Sequence, residues 1–307
     1  MSNPNEGDLE NDVVAQLQSL GWEYKHGSDF IPHADSEHRK TLADVVLRGH
    51  LKGAITTLNP SLTDSVHQEA FNRVLNFAQG DDLASNNERF HQLVTEGITV
   101  NTSVGGEERG VIVQLIDFEN PTKNHLLAVN QLHIKEAGDK CIPDVILYVN
   151  GIPLVVAELK NPTNENTTVD KAFSQIQFYK KEIPSLFHYN GLIVISDGFD
   201  ARAGSVTAGI SRMSAWKSKD GKTRAGSQDF MLDIMLEGML NPTTLLDLIQ
   251  SFTVFEKERS IDSATGITTI HTIKKIAAYH QYYAVNFALH RTLSAAAEEG
   301  DRKGGVV

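Results

Sequence analysis

Three ionisable side chains in the segment IPDVILYVNGIPLVVAELKNP, residues 142–162, form a chemically suggestive set: Asp144, Glu158 and Lys160. The rest of the segment reads as two apolar strands, Asp144 to Val149 and Leu154 to Leu159, joined across Asn150-Gly151, a pair that favours a tight hairpin turn. Charge at the end of a buried hairpin is expensive unless solvent or a partner compensates it. Two neighbouring carboxylates repel, and a hard divalent cation relieves that repulsion; Mg2+ takes oxygen ligands octahedrally and keeps several waters. Asp144 and Glu158 are the candidate metal ligands, with the Leu159 carbonyl as a possible third. Such a cation lowers the pKa of a bound water and stabilises charge on a phosphate. Lys160 would orient or help deprotonate that water and offset phosphate charge.

Strand geometry imposes a condition on this site. Side chains alternate across a strand, so Glu158 and Lys160 share a face. A strict two-residue Asn150-Gly151 loop would pair Val149 with Ile152 and Asp144 with Ala157, turning Glu158 away from Asp144. A shared site therefore requires an odd loop length or a β-bulge, and Gly151 with Pro153 makes one plausible. The bland alternative is that Asp144 and Glu158 mark strand ends and Lys160 is a surface cation, since Glu-x-Lys is short and degenerate.

The surrounding pattern supplies elements to hold the hairpin. Leu9, Val13, Leu17 and Leu20 recur at helical spacing over residues 8–20, and Gly21 is placed to end that helix. Trp22 and Tyr24 start a strand. Residues 29–105 read as mostly helical, with a break at Gly105-Gly106. Val111 to Phe118, Leu126 to Ile134 and Leu192 to Ile195 read as strands, and a helix runs through Ala172, Ile176 and Tyr179. Asn241-Pro242 opens a further helical stretch. Ile261 to Thr272 reads as a linker, followed by a helix from Ile273 to about Ala296. Several consecutive strands with helices before and after predict an α/β fold with a mixed sheet flanked by helices.

The 307 residues, 40% of them hydrophobic, suffice for one large domain or two smaller ones. No apolar run is long enough to span a bilayer, and the acidic N-terminus is the wrong sign for a signal peptide, so a cytoplasmic protein without membrane partners is expected. Cys141 is the only cysteine, which excludes an intrachain disulfide. The net charge of -11 is unusual for a protein that binds nucleic acid unaided. Arg202, Arg212, Lys217, Lys219, Lys222 and Arg224, against the single acid Asp220 between residues 202 and 224, form a local basic segment that could face phosphates or simply be a solvated loop.

Pro143-Asp144 with Glu158-Leu159-Lys160 resembles the signature of the PD-(D/E)xK nuclease superfamily. Gln175 and Tyr179, one helical turn apart, stand as Q-x-x-x-Y and resemble the extra motif of nucleases coupled to helicases. Tyr189 to Gly198, Ala201 to Trp216 and Asn130-Gln131 resemble the type I restriction endonuclease R subunit, and the likeness covers most of residues 5–255. It implies a restriction-endonuclease-like fold and Mg2+-dependent cleavage of double-stranded DNA, with Asp144, Glu158 and Lys160 catalytic. It also implies that Gln175 and Tyr179 contact the DNA backbone or position Lys160. Glu10 is a further candidate, because related nucleases often place a first-helix glutamate near the metal; a solvated first-turn acid is the alternative.

Tyr279-His280-Gln281 resembles the glutamine motif that reads adenine in superfamily 2 helicases, which makes Gln281 part of an incomplete nucleotide site. Gly221-Lys222-Thr223 lacks the earlier glycine of a P-loop, because Trp216 stands there. The expected division is a nuclease domain over 1–255, then a linker and the truncated start of a RecA-like helicase domain over 256–307. ATP would bind only the full-length subunit, and methyltransferase and specificity subunits would be partners. The competing readings are a non-catalytic assembly or DNA-binding module of the same complex, and a stand-alone repair or junction nuclease.

Overall fold

The computed structural model describes residues 6–80, 82–104, 107–136, 138–160, 169–226, 228–261, 266 and 268–303. The Gly105-Gly106 break and the tail from Gly304 lie outside the described residues. The element order is α1 (Glu6–Ser19), β1 (Glu23–His26), α2 (Arg48–Leu58), α3 (Asp64–Leu75), α4 (Leu83–Glu96), β2 (Ile98–Val104) and β3 (Glu107–Val113). There follow β4 (Leu126–Asn130), β5 (Val145–Val149), β6 (Ile152–Leu159), α5 (Val169–Glu182), α6 (Pro184–His188), β7 (Leu192–Ser196) and β8 (Ala201–Gly204). After these come α7 (Met231–Gly238), α8 (Pro242–Ser251), β9 (Thr253–Ile261), β10 (Thr268–Ile276) and α9 (Tyr279–Ala296).

A six-stranded sheet in the order β1-β4-β5-β6-β7-β8 carries the core. Its outer pair β1–β4 and its inner pair β6–β7 are parallel, and β4–β5, β5–β6 and β7–β8 are antiparallel. The expected mixed sheet is therefore present, with helix α1 packed on β1, β4 and β6 and helix α5 on β6 and β7. Every residue of β4 to β7 is buried, which explains why these strands are continuous apolar runs instead of alternating ones. Helix α1 buries Val13, Val14 and Leu17, and the turn after it passes through Gly21, whose φ of 94° suits a residue without Cβ.

The turn between β5 and β6 explains the close fit of α2. Asn150 and Gly151 both have positive φ, 55° and 79°, as a two-residue hairpin turn of the primed type requires. A Cβ on Gly151 would meet the Leu47 carbonyl oxygen at 2.4 Å, so glycine is demanded twice. The Asn150 amide donates to the Leu115 carbonyl and to the Asn124 side chain, and its oxygen accepts from the His125 backbone.

Several segments differ from the sequence expectation, among them the strand expected over Leu126 to Ile134, which ends at Asn130. Within 29–105 the helices α2 to α4 are present, but Ile98–Val104 is a strand paired with Glu107–Val113, and that strand stops short of Phe118. The expected linker at 261–272 and the expected helix start at Ile273 are instead part of the β9–β10 hairpin, in which Thr253 pairs with Ile276 and Ile261 with Thr268. Its strands combine the charged run Glu256 to Arg259 with threonines and the pair Lys274-Lys275, a composition that looks like a polar loop when both faces are largely wet. Helix α9 consequently begins at Tyr279. The expected boundary between residues 255 and 256 falls inside β9.

Candidate active site at one end of the sheet

The β5–β6 ladder contains the irregularity that a shared carboxylate site requires. Val149 pairs with Ile152 and Tyr148 with Pro153, but Leu147 pairs with Val155, so Leu154 is an extra residue on β6. This bulge shifts the pairing to Val145 with Ala157; one step further, Asp144 stands opposite Glu158. Residues directly opposite on an antiparallel pair share a face, so both carboxylates come together. Without Leu154 as a bulge, Asp144 would face Ala157.

The carboxylates are deeply placed. Asp144 is 7% exposed and Glu158 2%. The Leu159 backbone N–H donates to Asp144 Oδ2 at 2.7 Å, tying the two strands across the site. Lys160 Nζ donates to Glu158 Oε1 at 2.7 Å and to the Leu159 carbonyl at 3.0 Å. Burial, then the Glu158 charge, holds the Asp144 carboxyl well above the ordinary carboxylate range, with the Leu159 amide and Lys160 pulling the other way. The end of β6 is fixed by the neighbouring strand, because the Lys160 backbone N–H donates to the Ser196 carbonyl at 2.8 Å.

Glu10 is brought in from helix α1. It is buried and accepts from the Gln131 side-chain amide at 2.9 and 3.0 Å, with the Asn130 amide at 3.4 Å. Its charge also raises Asp144, which places it in the same electrostatic neighbourhood. Tyr179, on α5, is buried, and its hydroxyl donates to the Ile142 carbonyl at 3.0 Å, holding the arm that delivers Asp144. Gln175 lies against the same hydroxyl. Burial and the Glu158 and Asp144 charges push the Tyr179 phenol up. The Gln175–Tyr179 pair thus contacts the chain two residues before Asp144.

Gln281 lies elsewhere. Its side-chain oxygen accepts from the Ala278 backbone N–H at 2.9 Å, closing a cap at the start of α9. It also lines a cavity of about 630 Å³ with Trp216, Tyr279, Arg212 and Lys275, beside the end of β8 remote from Glu158. Within the basic segment, Arg202 pairs with Asp200 at 2.7 Å and Lys219 with Glu237, so part of that charge is neutralised internally.

Sequence reasoning assigned no individual role to Gln131, whose backbone occupies the left-handed region with φ 53°. The signal in the sequence was a pair of polar amides at the end of the apolar strand β4; a left-handed non-glycine residue leaves no mark in composition.

The family model described as the type I restriction enzyme R protein N terminus matches residues 3–212. The type I restriction enzyme HindI endonuclease subunit of Haemophilus influenzae is 42% identical over 306 residues, which is 99% of this chain and 28% of that protein. The type I restriction enzyme SauMSSORF170P endonuclease subunit of Staphylococcus aureus is 25% identical over 295 residues, 90% of this chain and 27% of that protein. The chain thus spans less than a third of the length of these curated relatives.

Proposed function

Because the chain belongs to the type I restriction enzyme R protein N-terminal family, we propose that it is the Mg2+-dependent endonuclease region of a restriction enzyme motor subunit, hydrolysing phosphodiester bonds of double-stranded foreign DNA. The observation that carries this reading is the Leu154 bulge, which sets Asp144 opposite Glu158 at the end of an otherwise apolar hairpin. A structural hairpin has no use for two buried carboxylates facing one another.

The donor set fits Mg2+: two carboxylates and the Leu159 carbonyl are hard oxygen ligands. Lys160 already sets a positive charge against Glu158 Oε1 and the Leu159 carbonyl, so these oxygens are organised to receive a cation. When bound, the metal supplies an acidified water and neutralises charge developing on the scissile phosphate. Asp144 and Glu158 would hold it, and the Leu159 N–H keeps the Asp144 carboxylate oriented. Lys160, as an ammonium beside Glu158, would orient the attacking water and offset phosphate charge; only its neutral amine could take the water's proton, becoming the ammonium as it does so. Tyr179 and Gln175 keep the Ile142–Asp144 arm in place, with DNA backbone contact as a second use of Gln175. Glu10 adds negative charge beside Asp144.

In this reading the full-length subunit binds ATP, with Gln281 contributing to the adenine site, and works with methyltransferase and specificity subunits that select the DNA. The nuclease signature is that of the PD-(D/E)xK superfamily, and the activity is that of a type I site-specific deoxyribonuclease. The test is replacement of Asp144 by Asn or Glu158 by Gln in the full-length subunit of the assembled complex. Cleavage should disappear while DNA-stimulated ATP hydrolysis persists. Retained cleavage would overturn the assignment, and loss of both activities would make the pair structural.

A further inference from the structure

Gln131 connects two acidic parts of the site that are far apart in the chain. Its side-chain amide donates to both oxygens of Glu10, 121 positions away, while its backbone N–H donates to the Asp144 carbonyl at 3.1 Å. It does this from a left-handed backbone with φ 53°, which glycine adopts freely and glutamine does not. The fold accommodates the kink at some cost elsewhere: at Gly27, which follows β1, a Cβ would lie 2.3 Å from the Gln131 carbonyl oxygen. If the left-handed kink were all that mattered, glycine at 131 would serve better than glutamine. The side chain is therefore what the strained position retains.

Around this residue the amides form a short chain. The Tyr24 hydroxyl donates to Asn130 Oδ1 at 3.1 Å, and Asn130 and Gln131 both donate to Glu10. Two amides thus hold the Glu10 carboxylate, and the Gln131 backbone also bonds the strand arm bearing Asp144. Residues that orient metal ligands from behind commonly tune affinity about as much as some ligands do.

We infer that Gln131 is a positioning residue that sets the Glu10 carboxylate relative to Asp144 and thereby controls how tightly this end of the sheet takes a divalent cation. The inference rests on the nuclease reading, and its test separates the two. The 307-residue chain is titrated with Mn2+ and followed by thermal denaturation, in the wild type and in Gln131→Ala, Gln131→Gly and Asp144→Ala. Gln131→Gly removes the amide and the backbone strain together, so its metal-free melting temperature should stay close to wild type. Both Gln131 variants should need about tenfold more Mn2+ for the half-maximal shift, the lower end of the usual effect of such supporting residues. Asp144→Ala should abolish the shift. If Asp144→Ala abolishes it and Gln131→Gly titrates like wild type, the positioning role is overturned and the nuclease reading stands. If wild type shows no Mn2+ shift, or Asp144→Ala shifts equally, the metal site itself is overturned and the role of Gln131 falls with it.

Discussion

Along β5 and β6 every residue is buried, whereas the paired strands β9 and β10 leave Val254 58% and Ile270 66% exposed. In the buried hairpin a single inserted residue decides which side chains share a face, so the backbone register is itself the device that builds the site. In the exposed hairpin nine consecutive pairs run without interruption, and the register has little to protect on either face. What holds that second hairpin is a small number of anchors. Lys274, only 2% exposed, donates to the Asn190 carbonyl at 2.8 Å, Lys257 pairs with Glu88 of α4, and His91 of the same helix packs on Phe255. One hairpin is specified by packing everywhere, the other by a few polar contacts on a mainly wet surface.

The contrast is tested most severely through cleavage. Asp144→Ala or Glu158→Ala should lower DNA cleavage by the assembled enzyme on the order of a thousandfold or more, since each removes a proposed metal ligand. Glu258→Ala, on an exposed strand, should leave the rate unchanged. An equal loss from Glu258→Ala would end the distinction between the hairpins.

Stability should separate them next. Gly151→Ala places a Cβ against backbone in a left-handed turn and should cost about 3 kcal/mol or more. Gly266 also has positive φ, 69°, but among the described residues nothing comes within 4 Å of a Cβ there, so Gly266→Ala should cost about 1 kcal/mol. Urea midpoints of the two variants measure the difference directly.

The anchors of the exposed hairpin should make it acid-sensitive. Burial, then Lys274, pushes the His91 imidazole down to about 4 from an ordinary value of 6.5. The unfolded chain therefore binds this proton first as pH falls. The stability owed to the neutral, partly buried ring is complete above about pH 6.5 and is lost as pH drops toward 4, by on the order of 1–3 kcal/mol. His91→Phe should flatten that part of the stability curve. An unchanged slope would remove His91 from the set of anchors. The smallest effect is expected at Ile270→Thr, within about 0.5 kcal/mol, because the side chain already faces solvent.

Legibility in the sequence followed the same division. The strands β4 to β7, the Asn150-Gly151 turn and the need for a bulge were all readable, because buried apolar runs and the alternation rule leave few options. The acid pair and Lys160 were readable as residue types whose proximity depended on that bulge. The β9–β10 hairpin was not, since Thr268, Thr269, Thr272, Lys274 and Lys275 look like loop composition and the apolar anchors are sparse. Lys274 in particular carries no sequence sign that its amine is buried. Gln131 escaped for a different reason: a left-handed glutamine is imposed by distant contacts with Glu10 and Asp144, which no local window contains.

The extra Leu154 also bears on the order in which the molecule assembles. The Asp144–Leu159 bond spans only 15 positions and the turn between its strands is pre-shaped, so the bulged hairpin closes a short loop at little entropic cost. The Glu10–Gln131 contact spans 121 positions and must wait for α1 to find β4. A refolding chain therefore fixes the hairpin register, and with it the pairing of Asp144 opposite Glu158, before helix α1 brings Glu10 to Gln131.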